Sequence, residues 1–303
     1  MILILFQLIA LVVFSLIRFS ASEILAPVAE KTHIFCISQL PLDSFSLAEL
    51  KALVCAENFS NIGESELYIS TGLIHLFVVS GAHLILIERI LKVCRCRENL
   101  VFPLMLMYGF ACNLNAPVCR CLFAFMLSDY LSKKNIVWPV HFRVLAIGLT
   151  TLAFNYTWIS SLSLQMSWIA AFLVMLGKKF FMGSSSLFKQ SLFFISLFPT
   201  LVFFQVPSIS IILVNLIFAP ILEFFLFPLG LLTWFFSFSY PVFDFFIILI
   251  KKFLTLLEMD YQFQLNELPE NLVFFNWIFI FSLHLTFHLL DVVKLRKLKL
   301  YES

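Results

Sequence analysis

"TGLIHLFVVSGAHLILIE", residues 71–88, is apolar and long enough to cross a bilayer, yet Thr71, His75, Ser80, His83 and Glu88 interrupt it, with Gly72 and Gly81 among them. At about 100° per residue, Gly72, His75, Ser80 and His83 fall within an arc of roughly 140° on one helix wall. Glu88 falls elsewhere, near the end that carries Arg89, Lys92 and Arg95. A narrow polar wall in an apolar helix suits interior water, or a close helix crossing with hydrogen bonds between buried side chains. Ser80-Gly81 loosens the helix halfway along and would open backbone groups to a cavity.

The remainder of the chain has the same solvent preference. Of 303 residues, 61% are hydrophobic and 13% charged, and the mean hydropathy is +1.00. Apolar runs lie at 1–17, 71–90, 100–113, 116–131, 136–154, 160–177, 187–205, 208–228, 229–250 and 272–290. The expected fold is therefore all-α: a polytopic integral membrane helical bundle of about ten transmembrane helices, some broken or re-entrant, with 100–113 the short one. Proline disfavours helix in the residue before it, so the long run from 208 to 250 is expected to divide at Phe227-Pro228-Leu229-Gly230. A net charge of +2 lacks the concentrated basic face of a soluble DNA binder. The 39 phenylalanines read as lipid-facing and packing bulk.

Charge sets the expected orientation. Arg89, Lys92, Arg95 and Arg97 crowd one loop, Lys133-Lys134 and Lys178-Lys179 follow two others, and Lys294, Arg296, Lys297 and Lys299 close the chain. With ten alternating segments all four clusters share a side, which places both termini in the cytoplasm. Residues 18–70 fall outside, with Glu23, Glu30, Asp43, Glu49, Glu57, Glu64 and Glu66 against Arg18, Lys31 and Lys51. Residues 1–17 have the apolar core of a signal peptide without a basic leader, and are expected to stay as an anchor helix. The 18–70 loop is expected to carry an interfacial amphipathic helix, and 71–303 to form the membrane core.

Several chemistries have no motif here. No GxxxxGK[ST], HExxH or GxSxG sequence occurs, so no enzyme activity, metal or cofactor is expected. Cys94-x-Cys96 and Cys119-x-Cys121 fall on opposite faces of this topology and cannot share an ion. Cys36 and Cys55 share the external loop, where a disulfide would persist in an oxidising compartment. His284 and His288 stand one turn apart on one helix face, a spacing that serves a metal grip or ordinary packing. Arg120, after Asn115-Ala116-Pro117, either faces a wet cavity or snorkels to the outer interface. Glu223 lies deeper, between Pro220 and Pro228, and is expected inside the bundle.

These residues also carry a resemblance. "TGLIHLFVVSGAHL" resembles the Gly-x-x-His and Ser-Gly-x-His motif of the ComEC-type competence proteins, and LKALVCAENFSNIGESELYIS is similar to the segment that leads into it. In chain order, NAPVCRCLFAF resembles the family's proline-then-arginine segment, with Pro117 and Arg120. LSLQMSWIAAF is similar to its Gln-Leu-Ser segment at Gln165 and Ser167, and ILVNLIFAPILEF to its Asn-Leu-x-x-x-Pro segment at Asn215 and Pro220. The match covers about 45–300. The resemblance implies an inner-membrane channel for one strand of incoming DNA. Family members often add an oligonucleotide-binding-fold domain and a metallo-β-lactamase-like domain; the external loop is too short for the first, and no HxHxDH-type motif marks the second, so neither is expected.

The leading expectation is a channel for single-stranded DNA during natural transformation. His75, Ser80, Gly81, His83, Arg120, Gln165, Ser167, Asn215 and Glu223 would line the path, and Gly72, Pro117, Pro220 and Pro228 would permit helix breaks. Expected partners are single-stranded DNA, membrane lipid, a cytosolic helicase-type motor, a periplasmic DNA receptor and a second copy of the chain. Two other readings stay open: a secondary transporter or lipid-handling protein with His75, His83 and Glu223 as a proton relay, and a degenerate scaffold of an uptake complex.

Overall fold

The computed structural model describes residues 9, 12, 13, 15, 16, 18, 20–59, 67, 68, 71, 73, 77, 81–180, 214, 217–257 and 270–301, without the side chains of 173, 175–180, 257, 270–272 and 292–301. Among the described residues the structure is helical and has no strand. The helices are α1 (Ala21–Ser38), α2 (Leu47–Cys55), α3 (Gly81–Val93), α4 (Glu98–Ala111), α5 (Ala116–Lys133), α6 (Val140–Phe154), α7 (Leu162–Phe180), α8 (Phe227–Phe235), α9 (Tyr240–Leu257) and α10 (Glu270–Tyr301). Two stretches, Ile217–Phe235 and Val273–Asp291, are long and apolar enough to cross a membrane, and Val140–Phe154 and Leu162–Phe172 are shorter apolar helices. The expected segments at 1–17 and 187–205 lie mostly or wholly outside the described residues.

Helices α3 to α7 pack as successive neighbours, and α10 closes against α6 and α7. Tight turns fix this order. Asn115 caps α5 by accepting the Val118 N–H at 3.1 Å, with proline in the first helical turn, where its missing donor costs nothing. Pro117 therefore opens a helix rather than breaking one. Leu84, Met105, Val118 and Leu122 fill the space between α3, α4 and α5. Leu164, Trp168, Phe172, Ile280 and Phe287 join α7 to α10.

The expected break at Phe227-Pro228 is absent. In an α-helix the ring of Pro228 would collide with the carbonyl of Phe224. Instead the chain widens into a π-turn over Leu222–Leu226, in which the Phe227 N–H bonds the Leu222 carbonyl five residues back, and the helix continues to Phe235. Pro220 also lies within the helical run. The division falls at the 3-10 turn Ser237–Ser239, so 208–228 and 229–250 are not two separate runs.

Residues 20–59 pack into the helical assembly. In α2, Glu49, Leu50, Ala52, Leu53, Val54 and Cys55 are buried, because α2 packs against α8 and α1 rather than lying with one face free. Cys36 and Cys55 are disulfide-bonded, which ties the end of α2 to α1. From α9, the buried Asp244 carboxylate accepts the Ser44 hydroxyl at 2.6 Å and the N–H groups of Phe45 and Ser46 at 3.0 and 3.1 Å. Two turns further on, Lys251 pairs with buried Glu49, which also accepts the Tyr68 hydroxyl at 3.0 Å. Burial and the neighbouring Glu49 charge hold the Tyr68 phenol well above the usual range, so it stays a donor.

Removing the Asp244 carboxylate leaves the Ser44 hydroxyl and the Phe45 N–H without their acceptor and the Ser46 N–H with the Ser44 hydroxyl alone, at a cost of ~2–4 kcal/mol. Asp244→Ala should lower the thermal midpoint of the purified protein by several degrees, and Asp244→Asn, which keeps one acceptor oxygen, by less. An unchanged midpoint for Asp244→Ala would remove this contact from the forces that seat α2.

Candidate functional site

Three of the sequence-predicted residues, from three different segments, meet where α3, α5 and α7 begin. Gly81 is the first residue of α3 and faces α5: a Cβ there would lie 3.4 Å from the Cys121 Cβ, 3.6 Å from its Sγ and 3.9 Å from Nη2 of Arg120. A Cβ would thus sit in ordinary contact with both residues, and a longer side chain would have to share the space of the guanidinium. The Cys121 thiol donates to the Gly81 carbonyl at 3.4 Å. Arg120 is half-buried, and its Nε–H donates to the Ser167 hydroxyl of α7 at 2.8 Å. Among the described residues Arg120 meets this hydroxyl and no carboxylate. Among these residues its charge is oriented and meets no opposite charge.

His83 lies on the opposite face of α3, since two residues turn a helix by about 200°. It is buried, its ring 4.3 Å from that of Phe227 in α8, and Phe227 in turn lies 6.2 Å from Tyr108 of α4. The imidazole points into the bundle, but against an aromatic ring and away from Arg120. His75, Ser80, Gly72 and Asn215 lie outside the described residues.

Gln165 does not join Arg120. Two residues before Ser167, it faces the far side of α7, where its Nε2 donates to the Val273 carbonyl at 3.1 Å and its Oε1 accepts from Asn276 at 3.0 Å. Fully buried and bonded on both ends, it stitches α7 to α10 in place of lining a wet path. Glu223 sits half-buried in the π-turn, with no hydrogen-bond or ion partner among the described residues. Glu88 pairs with Lys92 on its own helix.

At the far end of the bundle the structure adds His141 and Asp291 to the His284 and His288 pair that the sequence singled out. His141 of α6 pairs with Asp291 at 3.1 Å and stacks edge-on to His288 at 5.7 Å, while His284 accepts the Trp168 indole N–H at 3.1 Å. Asp291, three residues after His288, is the nearby carboxylate that reading the histidine pair alone overlooked. Among the described residues no group of three or more His, Cys, Asp or Glu is arranged to hold a metal ion. Cys94 is exposed, whereas Cys119 and Cys121 are buried.

The family model described as Competence protein matches residues 61–292. The chain belongs to the competence-protein family. The resemblance first drawn from residues 71–84 is thereby shown, and membership ties the chain to DNA uptake in transformation. The matched region holds Gly81, His83, Arg120, Gln165, Ser167 and Glu223, whereas α1, α2 and the Cys36–Cys55 disulfide precede it. No curated protein matches the chain, and no solved structure does either.

The two faces of α7 separate by substitution. Gln165→Ala leaves the buried Asn276 amide without this acceptor and removes the extra bond to the Val273 carbonyl, and should cost ~1–3 kcal/mol of stability. Ser167→Ala removes only a hydroxyl from the half-buried junction and should shift thermal denaturation by less than half as much. Equal destabilisation by the two variants would contradict the division of roles.

Proposed function

We propose that this chain is the membrane channel core through which a single strand of DNA crosses the inner membrane of a transformable bacterium. The observation that carries the reading is the Arg120 junction. A cation among apolar helices is costly unless it faces water or a partner, and here its neighbour is a neutral hydroxyl. A passing phosphate would supply the missing negative charge. One guanidinium with neutral donors beside it attracts a polyanion without trapping it, which a conducting path requires. Gly81 leaves room at that point, and an interior-facing His83 is compatible with a second stretch of the same path.

The orientation of charge supports the same reading. Helices α3, α5 and α7 start side by side around Gly81, Arg120 and Ser167, so Arg89, Lys92, Arg95 and Arg97, then Lys133-Lys134, and the Lys178-Lys179 positions follow towards the other end. By the positive-inside rule that end is cytoplasmic. In this proposal the chain crosses the membrane about ten times with both termini inside. The basic turns receive the emerging strand or a helicase-type motor, and a periplasmic receptor delivers DNA to the α1–α2 face. A second copy of the chain could complete the channel.

One observation favours a proton-coupled transporter instead: α3 touches the π-turn that holds Glu223, one turn before the ring stacked on His83. The two readings separate cleanly. In a deletion strain supplied with variants of equal membrane abundance, Arg120→Ala should reduce import of labelled DNA to the cytoplasm at least about tenfold, Arg120→Lys should retain part of it, and Glu223→Gln should leave it intact. Full import with Arg120→Ala would sink the channel reading. Loss of pH-linked solute movement in Glu223→Gln, with import unchanged in both variants, would favour the transporter.

A further inference from the structure

Among Gly81, Gly109, Gly148 and Gly230, Gly148 is approached most closely, by Trp168. A Cβ placed on Gly148 would lie 2.0 Å from Cη2 of Trp168, 2.2 Å from Cζ2 and 2.3 Å from Cζ3, so the indole's six-membered edge occupies the space that every other residue would fill. Trp168 is fully buried. Its N–H donates to His284 Nε2 at 3.1 Å, and its ring stands edge-on to Trp277 at 5.4 Å, both on α10. The indole is thus a peg of α7 seated in a socket of α6 and gripped from behind by α10.

The next residue back along α7 is Ser167, turned about 100° around the helix onto the face that meets α5. Its hydroxyl is the acceptor that orients Arg120. A hydrogen bond of this type tolerates only a few tenths of an ångström of stretch, so a shift of α7 by about 1 Å breaks it. We infer that Gly148 and Trp168 are positioning residues for Arg120: the fit of the indole against the bare backbone of Gly148 sets the height and rotation of α7, and thereby where Ser167 holds the guanidinium. The inference rests on the reading of Arg120 as the phosphate-attracting cation, but its structural part stands on these contacts alone.

Cys121 reports on the junction, because its thiol and the Arg120 guanidinium flank the same spot beside Gly81. In the full-length membrane-inserted chain with Cys94→Ser, Cys96→Ser, Cys112→Ala and Cys119→Ala, maleimide labelling of Cys121 measures how well Arg120 is held. Gly148→Ala should raise the labelling rate at least about fivefold by crowding the peg, and Trp168→Phe should raise it by emptying the socket. Combined, the two changes refill the space and should bring labelling back to within about twofold of the starting protein. Ser167→Ala cuts the same bond directly, and adding Gly148→Ala to it should raise labelling no further.

A Gly148→Ala labelling rate equal to that of the starting protein, a double variant no better than the worse single one, or additivity with Ser167→Ala would each overturn the inference. If Gly148→Ala alone does not accumulate in the membrane, Trp168→Phe and the double variant decide the matter by the same assay. DNA import measured in these variants tests the functional reading separately: labelling as expected with import undiminished keeps the positioning and removes the DNA channel.

Discussion

A guanidinium lodged between apolar helices needs an oriented partner, and the contact from Arg120 to Ser167 decides where its charge points. It requires α5 and α7 to face each other at one height. That in turn requires α3 to approach closely at Gly81, where a side chain would meet both Cys121 and the guanidinium. Three family segments far apart in sequence converge on this point, and the partner chosen is neutral. Among the described residues that partner is a hydroxyl, which orients the cation without cancelling its charge.

A second polar system lies on the other side of α3, and it is closed rather than open. Glu49 and Asp244 are both buried carboxylates, and each is fully engaged: one by Lys251 and Tyr68, the other by a hydroxyl and two backbone N–H groups. Buried charges of this kind are strongly destabilising when one partner is removed, so they specify where α2 sits more than they add net stability. The apolar residues around them, Leu50, Leu53, Phe227, Phe243 and Ile247, supply the burial.

Much of the fold was legible because apolar runs dictate helices wherever they occur, and the predicted runs at 100–113, 116–131, 136–154 and 160–177 correspond closely to α4, α5, α6 and α7. The division near Phe227-Pro228 was misplaced because a proline penalty presumes an α-helical turn before it, and the chain escapes that penalty by widening one turn. In the site, Arg120 and Ser167 were legible as polar residues at family positions, and their meeting is visible only in three dimensions. Gln165 carried the same sequence signal as Ser167, yet two residues of helix turn it to the opposite face. Gly148 and Trp168 gave the weakest signal, since glycine and tryptophan in an apolar helix look like ordinary packing until the indole is seen against the bare backbone. The scarcity of glycine in this chain, 8 residues in 303, was the available clue.

The contact between Asp244 and the Ser44–Ser46 turn joins positions 198 to 200 residues apart in the chain. During synthesis the turn and α2 emerge long before the carboxylate that holds them has been translated. Until then α2, with its apolar residues and Glu49, must wait without its seat, exposed to whatever handles nascent chains at the membrane. Seating α2 therefore waits for the arrival of a late helix beneath an early one, so a ribosome that stops short of α9 leaves the front of the protein unfinished as well.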